Sequence, residues 1–218
     1  MTSLLIVDDH RLLTQALRIA LQAEGFDVLV ADEPDHDLVL ALTRVHRPDL
    51  VLLDLMLGAD RHGAALIAPL AQLTAVLVLT GTTDRAALGR CLELGAIGVT
   101  SKADPFDRLL ERIQAAASGG RVLSVSDRED LLAAHVEHRL AEHKRLSAFR
   151  SLSPREREVL GYVANGMSAD AIAERTYVSV PTIRTHIQAI FRKLDVNSQV
   201  AAVARVHEAG WSLDTSLN

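Results

Sequence analysis

Five short apolar runs alternate with amphipathic segments over the first 118 residues, and this alternation restricts the fold more than any other feature. The apolar runs lie near residues 3–7, 27–31, 49–53, 75–79 and 96–100. Short apolar runs between helical segments are typical of strands that are buried on both faces of a sheet. Because strands joined by helices pair in parallel, the pattern predicts an α/β domain whose five-stranded parallel sheet is covered by helices on both faces.

Residues that favour helix ends bound the segments between these runs. Residues 11–24 carry leucines and alanines at helical spacing and stop at Gly25, a residue that favours the left-handed closure of a helix. Further helices are predicted over 35–46 and 84–94, and a last one from Asp104-Pro105 to Gly119-Gly120. Proline suits the first turn of a helix because its missing N–H is not needed there.

Composition is consistent with a packed protein of one large or two small domains. The chain has 218 residues, of which 49% are apolar and only 3% aromatic, so its core must consist of Leu, Val, Ala and Ile. The single cysteine, Cys91, excludes an internal disulfide, fits a reducing compartment and is expected to pack in the core. The sequence shows no signal peptide and no apolar run long enough to span a membrane, so a cytoplasmic protein is expected.

Charge is unevenly distributed along the chain. Residues 1–118 have a net charge of −6, whereas residues 151–218 contain seven basic and seven acidic residues. Within residues 175–205, five basic residues are accompanied by a single acid, Asp195. A basic patch in an acidic protein predicts an anionic partner for that segment alone.

Polar residues follow four of the five apolar runs. Asp8 and Asp9 end the first run, Asp54 ends the third, Thr80 follows the fourth, and Lys102 lies just after the fifth. The carboxyl ends of parallel strands meet at one edge of a sheet, where ligands of open α/β proteins bind. Three converging carboxylates form a site of hard oxygen ligands, which suits Mg²⁺ better than a softer metal.

These residues form a set suited to phosphoryl transfer. Asp54 is the candidate nucleophile, and it needs a divalent cation and a lysine nearby because its charge repels a phosphoryl donor. In this hypothesis Thr80 and Lys102 bind oxygens of the phosphoryl group. The alternative is that each aspartate caps a following helix, which is plausible for Asp9 taken alone. Three further acids lie near this edge, and capping or loop roles are expected for them: Asp60, Asp84 and Asp104.

Residues 119–150 are predicted to be a helical linker. Ser126 and Glu129 fit a capping box, and residues 127–150 are strongly charged with one apolar stripe. The stripe consists of Leu132, Val136 and Leu140. The linker is either a solvated spacer or a helix whose stripe packs on a domain or on a second copy of the chain.

Residues 151–210 show four short helical patterns, and the second and third resemble a helix-turn-helix. Ser153, Ser168 and Ser179 are the predicted caps of the first three helices. The third helix, over 180–194, has a basic face and is predicted to enter the major groove of DNA. On its exposed face Arg184 can read guanine and Gln188 can read adenine.

Other residues of this helix are assigned to the same interface. Thr182 and Thr185 share or border the exposed face, Arg192 and Lys193 are expected to contact phosphates, and Ser179 lies where backbone N–H groups meet a phosphate. The opposite side of the helix is expected to face the core and carries Ile183, Ile187, Ile190 and Leu194. The alternative is an ordinary solvated helix face.

Residues 1–118 resemble the receiver domain of bacterial response regulators. The motifs that carry this resemblance are Val7-Asp8-Asp9-His10, Leu53-Asp54-Leu55-Met56, Leu79-Thr80-Gly81 and Gly98-Val99-Thr100-Ser101-Lys102. The resemblance implies a flavodoxin-like, doubly wound sheet and phosphorylation of Asp54 by a sensor histidine kinase. It also implies that the Met56 carbonyl joins Asp8, Asp9 and Asp54 as a ligand of Mg²⁺.

Two positions depart from the receiver pattern. Val99 stands where the family usually has the aromatic residue that turns inward on activation, and Gly58 stands where it usually has proline. Neither residue is needed for the metal and phosphate chemistry. The two departures concern the conformational change by which the receiver domain responds to phosphorylation.

Residues 151–210 resemble the helix-turn-helix domain shared by the NarL/FixJ and LuxR groups. The matching words include Leu152-Ser153-Pro154-Arg155-Glu156, Ala164-Asn165-Gly166-Met167-Ser168, Thr182-Ile183-Arg184-Thr185-His186 and Arg192-Lys193-Leu194. The resemblance implies base contacts by Arg184, Thr185 and Gln188. It also implies dimerisation through the fourth helix, around residues 201–208.

Together these patterns predict a two-domain response regulator that acts as a DNA-binding transcription factor. It would comprise a receiver over 1–118, a helical linker over 119–150 and a DNA-binding domain over 151–218, and would act as a homodimer at least when active. The alternative is an atypical transcription factor that is independent of phosphorylation and gated by a ligand or a protein partner. An aspartyl-phosphate phosphohydrolase is disfavoured because so short a domain shows no substrate pocket, so we expect no enzyme.

Overall fold

The computed structural model describes residues 1–31, 35–58 and 63–211, and the chain falls into two compact units. The first unit is Met1–His138 and the second is Arg139–Asn218. The division lies inside the segment predicted as a linker helix. Asp60 and residues 212–218 lie outside the described residues.

A parallel sheet of five strands forms the centre of the first unit. The strands are β1 Ser3–Val7, β2 Asp27–Ala31, β3 Leu50–Leu53, β4 Ala75–Thr80 and β5 Gly98–Ser101. Their order is β2-β1-β3-β4-β5, and every neighbouring pair is parallel. The chain order reverses at β1 and β3, so the predicted doubly wound sheet is confirmed, and the carboxyl ends of these two strands adjoin the switch point.

Both faces of the sheet are buried because alternate side chains of each strand point to opposite sides. Leu5 and Val7 of β1 belong to one apolar cluster, whereas Leu4 and Ile6 belong to another. The helices that cover the sheet are α1 Arg11–Ala23, α2 His36–His46, α3 Ala64–Ala71, α4 Arg85–Glu93 and α5 Phe106–Ala117. Cys91 lies in the first cluster at 1% exposure, and burial raises the pKa of its thiol to about 11.

Helix α6, Val125–Arg150, begins in the first unit and ends in the second. The predicted capping box of Ser126 and Glu129 is wrong. Instead the Ser124 hydroxyl accepts a hydrogen bond from the Asp127 N–H at 3.0 Å and donates to the Asp127 carboxylate at 2.7 Å. The helix therefore begins before Ser126, which is already one of its residues.

Four helices form the second unit together with the end of α6. They are α7 Pro154–Ala164, α8 Ala169–Thr176, α9 Val180–Leu194 and α10 Gln199–Glu208. Their apolar sides enclose a core that includes Phe149, Leu160, Ile172 and Ile190. The described residues contain no helix that is long and apolar enough to cross a membrane.

The capping box predicted at the start of α7 is present. The Ser153 hydroxyl accepts from the Glu156 N–H at 3.2 Å, and the Glu156 carboxylate accepts from the Ser153 N–H at 2.6 Å. Each residue thus satisfies a backbone donor that the helix leaves unpaired.

We expect Ser153→Ala to lower the free energy of unfolding of the second unit by about 1 kcal/mol, because the Glu156 N–H loses its acceptor. Chemical denaturation followed by circular dichroism measures this loss. The matched control is Ser147→Ala, since the Ser147 hydroxyl only donates to the Lys144 carbonyl on the exposed side of α6. Equal effects of the two substitutions would contradict the capping role.

Candidate functional sites

The predicted carboxylates meet at the carboxyl end of the sheet. Val7 and Leu53 are register partners in β1 and β3, so the residues that follow them, Asp8 and Asp54, lie side by side. Asp8, Asp9, His10 and Asp54 each offer a ligand atom, and these atoms all lie within 4.8 Å of one another. The side chains of Asp8 and Asp54 are almost fully buried, at 3% and 2% exposure of the residues.

The Lys102 ammonium joins this cluster and balances its charge. Its Nζ lies 2.6 Å from Asp8 Oδ2 and 2.8 Å from Asp54 Oδ2. Burial by itself would lower the pKa of Lys102, but the hydrogen bonds to Asp54 and Asp8 outweigh burial and raise the pKa above its ordinary value. Lys102 is therefore a permanent cation between two carboxylates that would otherwise repel each other.

His10 connects the acidic pair to the start of α1. The Nδ1 atom of its ring lies 3.0 Å from Asp8 Oδ1 and 2.9 Å from Asp9 Oδ1. The backbone N–H of His10 donates to Asp8 Oδ1 at 2.9 Å. His10 itself is the N-cap residue of α1, and no side chain caps that position. Asp9 therefore does not cap α1, and the capping alternative does not explain this residue.

The donors of this cluster suit a hard divalent cation. Three carboxylates converge, and carboxylate oxygen is the ligand type that Mg²⁺ and Ca²⁺ prefer. The acidic cluster of Asp8, Asp9 and Asp54 is thus compatible with Mg²⁺. Among the other acids near this edge, Asp84 caps α4 and Asp104 pairs with Arg112 at 3.1 Å.

The other predicted residues of the first unit lie around the cluster. Thr80 ends β4 with 1% exposure, and its hydroxyl accepts from the Thr82 N–H at 3.3 Å. Met56 is 55% exposed, and Val99 is buried within β5. Gly58 has φ +80°, a left-handed conformation that proline cannot adopt because its ring holds φ near −65°.

Gly63 is a residue of this site that the sequence reasoning missed. A Cβ at residue 63 would lie 2.0 Å from the backbone oxygen of Asp54, closer than any side chain permits. The Gly63 N–H also donates to the Leu55 carbonyl at 2.9 Å. Gly63 thus holds the backbone immediately after β3 in place. An isolated glycine in the sequence gave no signal that separates this role from an ordinary turn.

Helix α9 presents most of its predicted interface residues to solvent. The exposed residues are Ser179, Thr182, Arg184, Thr185, Gln188 and Arg192. Ile183, Ile190 and Leu194 are buried on the opposite side, as their spacing predicts. Ser179 caps the helix and its hydroxyl lies 2.8 Å from that of Thr182, while the Thr185 hydroxyl donates to the Pro181 carbonyl at 3.0 Å.

Lys193 differs from its neighbours, because its ammonium is already paired within the protein. Its Nζ lies 2.6 Å from the Glu156 carboxylate and 3.0 Å from the Ser151 carbonyl. Glu156 is only 7% exposed. This arrangement favours a structural role for Lys193 over the predicted contact with a phosphate.

Tyr177 is a second residue that the sequence reasoning missed. It precedes α9, is 97% exposed, and adopts the left-handed conformation at φ 54° that usually requires glycine or asparagine at a helix end. Nearby, the Arg175 guanidinium lies 5.6 Å from the centre of the Tyr162 ring.

Comparison with known proteins gives matches to both units. The family described as "Response regulator receiver domain" matches residues 4–114, and the family described as "Bacterial regulatory proteins, luxR family" matches residues 150–206. "Probable transcriptional regulatory protein NarL" of Mycobacterium tuberculosis is 33% identical over 90% of this chain and 89% of that protein. "Nitrate/nitrite response regulator protein NarP" of Escherichia coli is 32% identical over 91% of both chains.

A solved structure shares the fold along most of the chain. RcsB from Salmonella enterica serovar Typhimurium, bound to promoter rprA in the presence of the phosphomimetic BeF3⁻, matches with a TM-score of 0.50 and 24% identity. The match covers 94% of this chain and 98% of that one.

We expect Lys193→Met to lower the free energy of unfolding by about 1–3 kcal/mol, because Glu156 would be left buried without its cation. Urea titration measures the change. Arg192→Met is the matched control, since Arg192 is exposed, and its effect should stay within about 0.5 kcal/mol. An Arg192→Met protein as unstable as Lys193→Met would contradict the assignment.

The effect of Lys193→Met should depend on pH. Burial alone would raise the pKa of Glu156, but hydrogen bonds from Lys193 and from Ser153 outweigh burial and lower it. A carboxyl whose pKa is lower in the folded protein stabilises the fold above its unfolded pKa and loses that contribution as the pH falls through the folded pKa. The difference in free energy of unfolding between the wild type and Lys193→Met should therefore shrink as the pH falls below the ordinary pKa of glutamate.

Proposed function

Because the chain belongs to the two-component response regulators that combine a receiver domain with a LuxR-type DNA-binding domain, we propose that phosphorylation of Asp54 controls its activity as a transcription factor. Members of this family are transcriptional regulators and not enzymes. The observation that carries the proposal is the cluster in which Lys102 bridges Asp8 and Asp54. A buried carboxylate beside a cation and a second acid has the environment that an aspartyl nucleophile needs.

Asp54 would accept the phosphoryl group from a phosphohistidine of a sensor histidine kinase. One Asp54 carboxylate oxygen attacks phosphorus, the P–O bond forms as the P–N bond breaks, and the electron pair leaves with the imidazole. Lys102 is close enough to balance the negative charge that arrives at Asp54. Thr80, one strand away at the same edge, offers its hydroxyl to a phosphoryl oxygen.

Asp8, Asp9 and Asp54, with the backbone carbonyl of Met56, would hold Mg²⁺. When bound, the cation reduces the repulsion between the carboxylate and the phosphoryl donor. Lys102 alone provides one positive charge for two buried carboxylates, so the cluster retains net negative charge toward a cation.

The second unit would bind promoter DNA through α9. Its exposed face carries Arg184 and Gln188, whose side chains would read base edges, and Arg192, which would contact phosphates. A single small helix-turn-helix covers one half-site, so two copies would bind together, with α10 as the contact between DNA-binding units. Such a regulator works where the bacterial chromosome lies, in the cytoplasm.

The alternative of a regulator gated by a ligand or protein partner was motivated by Val99 and Gly58. The comparisons do not favour it, since the matched relatives include named response regulators. Gly58 fits its position through its left-handed backbone, which is a local requirement of the chain and does not oppose phosphorylation.

We expect Asp54→Asn to abolish phosphoryl uptake from acetyl phosphate in the presence of Mg²⁺, because a neutral amide replaces the negatively charged carboxylate that attacks phosphorus. Mass spectrometry of the intact protein detects the added phosphoryl group. Asp104→Asn is the matched control: this acid lies near the same edge but pairs with Arg112, so uptake should persist. Undiminished uptake by Asp54→Asn would contradict the proposed phosphoacceptor.

We expect Arg184→Ala to cost about 1–3 kcal/mol of binding free energy at one base position and to relax sequence preference there. Arg192→Ala should instead weaken binding to all sequences alike and reduce the salt dependence. Selection of bound genomic fragments followed by fluorescence titration separates the two patterns. Uniform loss with Arg184→Ala would assign that residue to the DNA backbone.

A further inference from the structure

Tyr177 lies in the turn between α8 and α9 and is exposed in a way that no other aromatic residue of the chain is. It is 97% exposed, whereas the other six aromatic residues are buried or half-buried. The other tyrosine, Tyr162, is half-buried and has the Arg175 guanidinium over its ring. Within the described residues, the Tyr177 side chain makes no hydrogen bond and no ring contact.

The backbone at Tyr177 is held in a conformation that a tyrosine adopts only at a steric cost. The residue ends α8 with φ 54° and ψ 36°, where glycine or asparagine is usually found because a Cβ crowds the backbone there. The turn itself is needed by the fold. The Val178 N–H donates to the Ala173 carbonyl at 3.1 Å, and Val178 packs against the core of the second unit.

The fold therefore requires the turn but gains nothing from a tyrosine in it. A side chain that is almost fully exposed contributes no burial to offset the left-handed backbone. Residues that keep such a cost without a compensating contact in the free protein are found at functional sites. The contact that Tyr177 makes is thus to be sought outside the protein.

The position of Tyr177 in the chain indicates what that contact is. Ser179, two residues later, is the N-cap of α9, so the Cα atoms of Tyr177 and Ser179 lie within about 8 Å of each other. The N-terminal residues of a helix that enters the major groove contact base edges. The turn immediately before such a helix lies next to the sugar-phosphate backbone at the edge of the groove.

The phenol group suits a phosphate at this edge. A tyrosine hydroxyl is one of the neutral donors that proteins use for DNA phosphates, and a hydrogen bond to a charged acceptor is stronger than one between neutral groups. The ring is rigid and has only two rotatable side-chain bonds, so little conformational freedom is lost when its hydroxyl is held in place. Tyrosine also reaches farther from the backbone than serine or threonine.

We propose that Tyr177 is a DNA contact residue whose hydroxyl donates a hydrogen bond to a backbone phosphate beside the start of α9. The contact fixes the position and orientation of α9 in the groove and does not read the base sequence. Because Val178 anchors the turn on its other side, the tyrosine is presented from a rigid part of the second unit. This inference rests on the proposed function, since it requires DNA bound through α9.

The test measures binding of the full chain, incubated with acetyl phosphate and Mg²⁺, to a fluorescein-labelled DNA duplex of about two helical turns. An arbitrary base sequence suffices at low salt, because a phosphate contact does not depend on the bases. Tyr177→Phe keeps the ring and removes only the hydroxyl. We expect its dissociation constant to rise about tenfold, which corresponds to one hydrogen bond to a charged group.

Tyr162→Phe is the matched control, because it removes the same hydroxyl from the half-buried tyrosine of α7. Its affinity for the duplex should equal that of the wild type. Wild-type affinity in Tyr177→Phe would overturn the inference while leaving DNA binding by α9 intact, and would assign the exposed ring to a protein partner or to no partner. A wild-type protein that binds no duplex would overturn the proposed function itself.

The salt dependence separates this contact from an ionic one. A neutral hydroxyl displaces no counterion, so Tyr177→Phe should bind more weakly at every salt concentration with an unchanged slope of log affinity against log salt. Arg192→Ala should instead reduce that slope by about one. A reduced slope in Tyr177→Phe would contradict a direct hydrogen bond from the phenol.

Tyr177→Gly distinguishes a role in binding from a role in the fold. Glycine adopts the left-handed backbone without the steric cost, so the Tm of this variant should equal or exceed that of the wild type. Its affinity for the duplex should fall at least as far as that of Tyr177→Phe. A lower Tm than the wild type would show that the tyrosine serves the fold and would contradict the inference.

Ethylation interference locates the contact on DNA. On a genomic fragment selected by the wild type, ethylation of the phosphate that accepts from Tyr177 should weaken wild-type binding and should have little effect on Tyr177→Phe. All other interfering phosphates should stay the same. An identical interference pattern for the two proteins would overturn the assignment.

Discussion

The placement of one ammonium between two buried carboxylates underlies the first unit. Asp8 and Asp54 follow neighbouring strands, and the parallel register places their carboxylates next to each other. Two such charges in a nearly dry position are tolerated only when they are paired. Lys102 provides the pairing from the end of β5, and it thereby ties the order of the strands to the chemistry at their carboxyl edge.

Most of the fold follows from patterns that are local in sequence. All five strands were predicted, because short apolar runs buried on both faces differ clearly from the periodic helices around them. Helix α3 gave no such pattern: it is apolar on nearly all sides and contains Pro69. The start of α6 was misplaced because Ser124 with Asp127 and Ser126 with Glu129 are overlapping capping sequences, and only three-dimensional packing distinguishes them.

The sites were predictable where strand ends bring residues together and less so where distant residues pair. The acidic cluster follows from the parallel sheet alone. The partner of Lys193, however, is Glu156 on another helix, and no local pattern reveals that pair. The same holds for Gly63, whose importance lies in a backbone oxygen from elsewhere in the chain. Contacts that follow from the periodic pattern of strands and helices can be predicted from the sequence, whereas a single contact between residues far apart in the chain cannot.

Cys91 illustrates a practical consequence of this packing. Its thiol is buried in the layer that covers the sheet, and burial raises its pKa to about 11, so Cys91 is a protonated thiol at neutral pH. A buried, protonated thiol reacts slowly with oxidants and alkylating reagents in the native protein. Cysteines introduced on the surface can receive fluorescent or spin labels while the natural residue stays in place, so distances within this regulator are measurable in an otherwise unaltered chain.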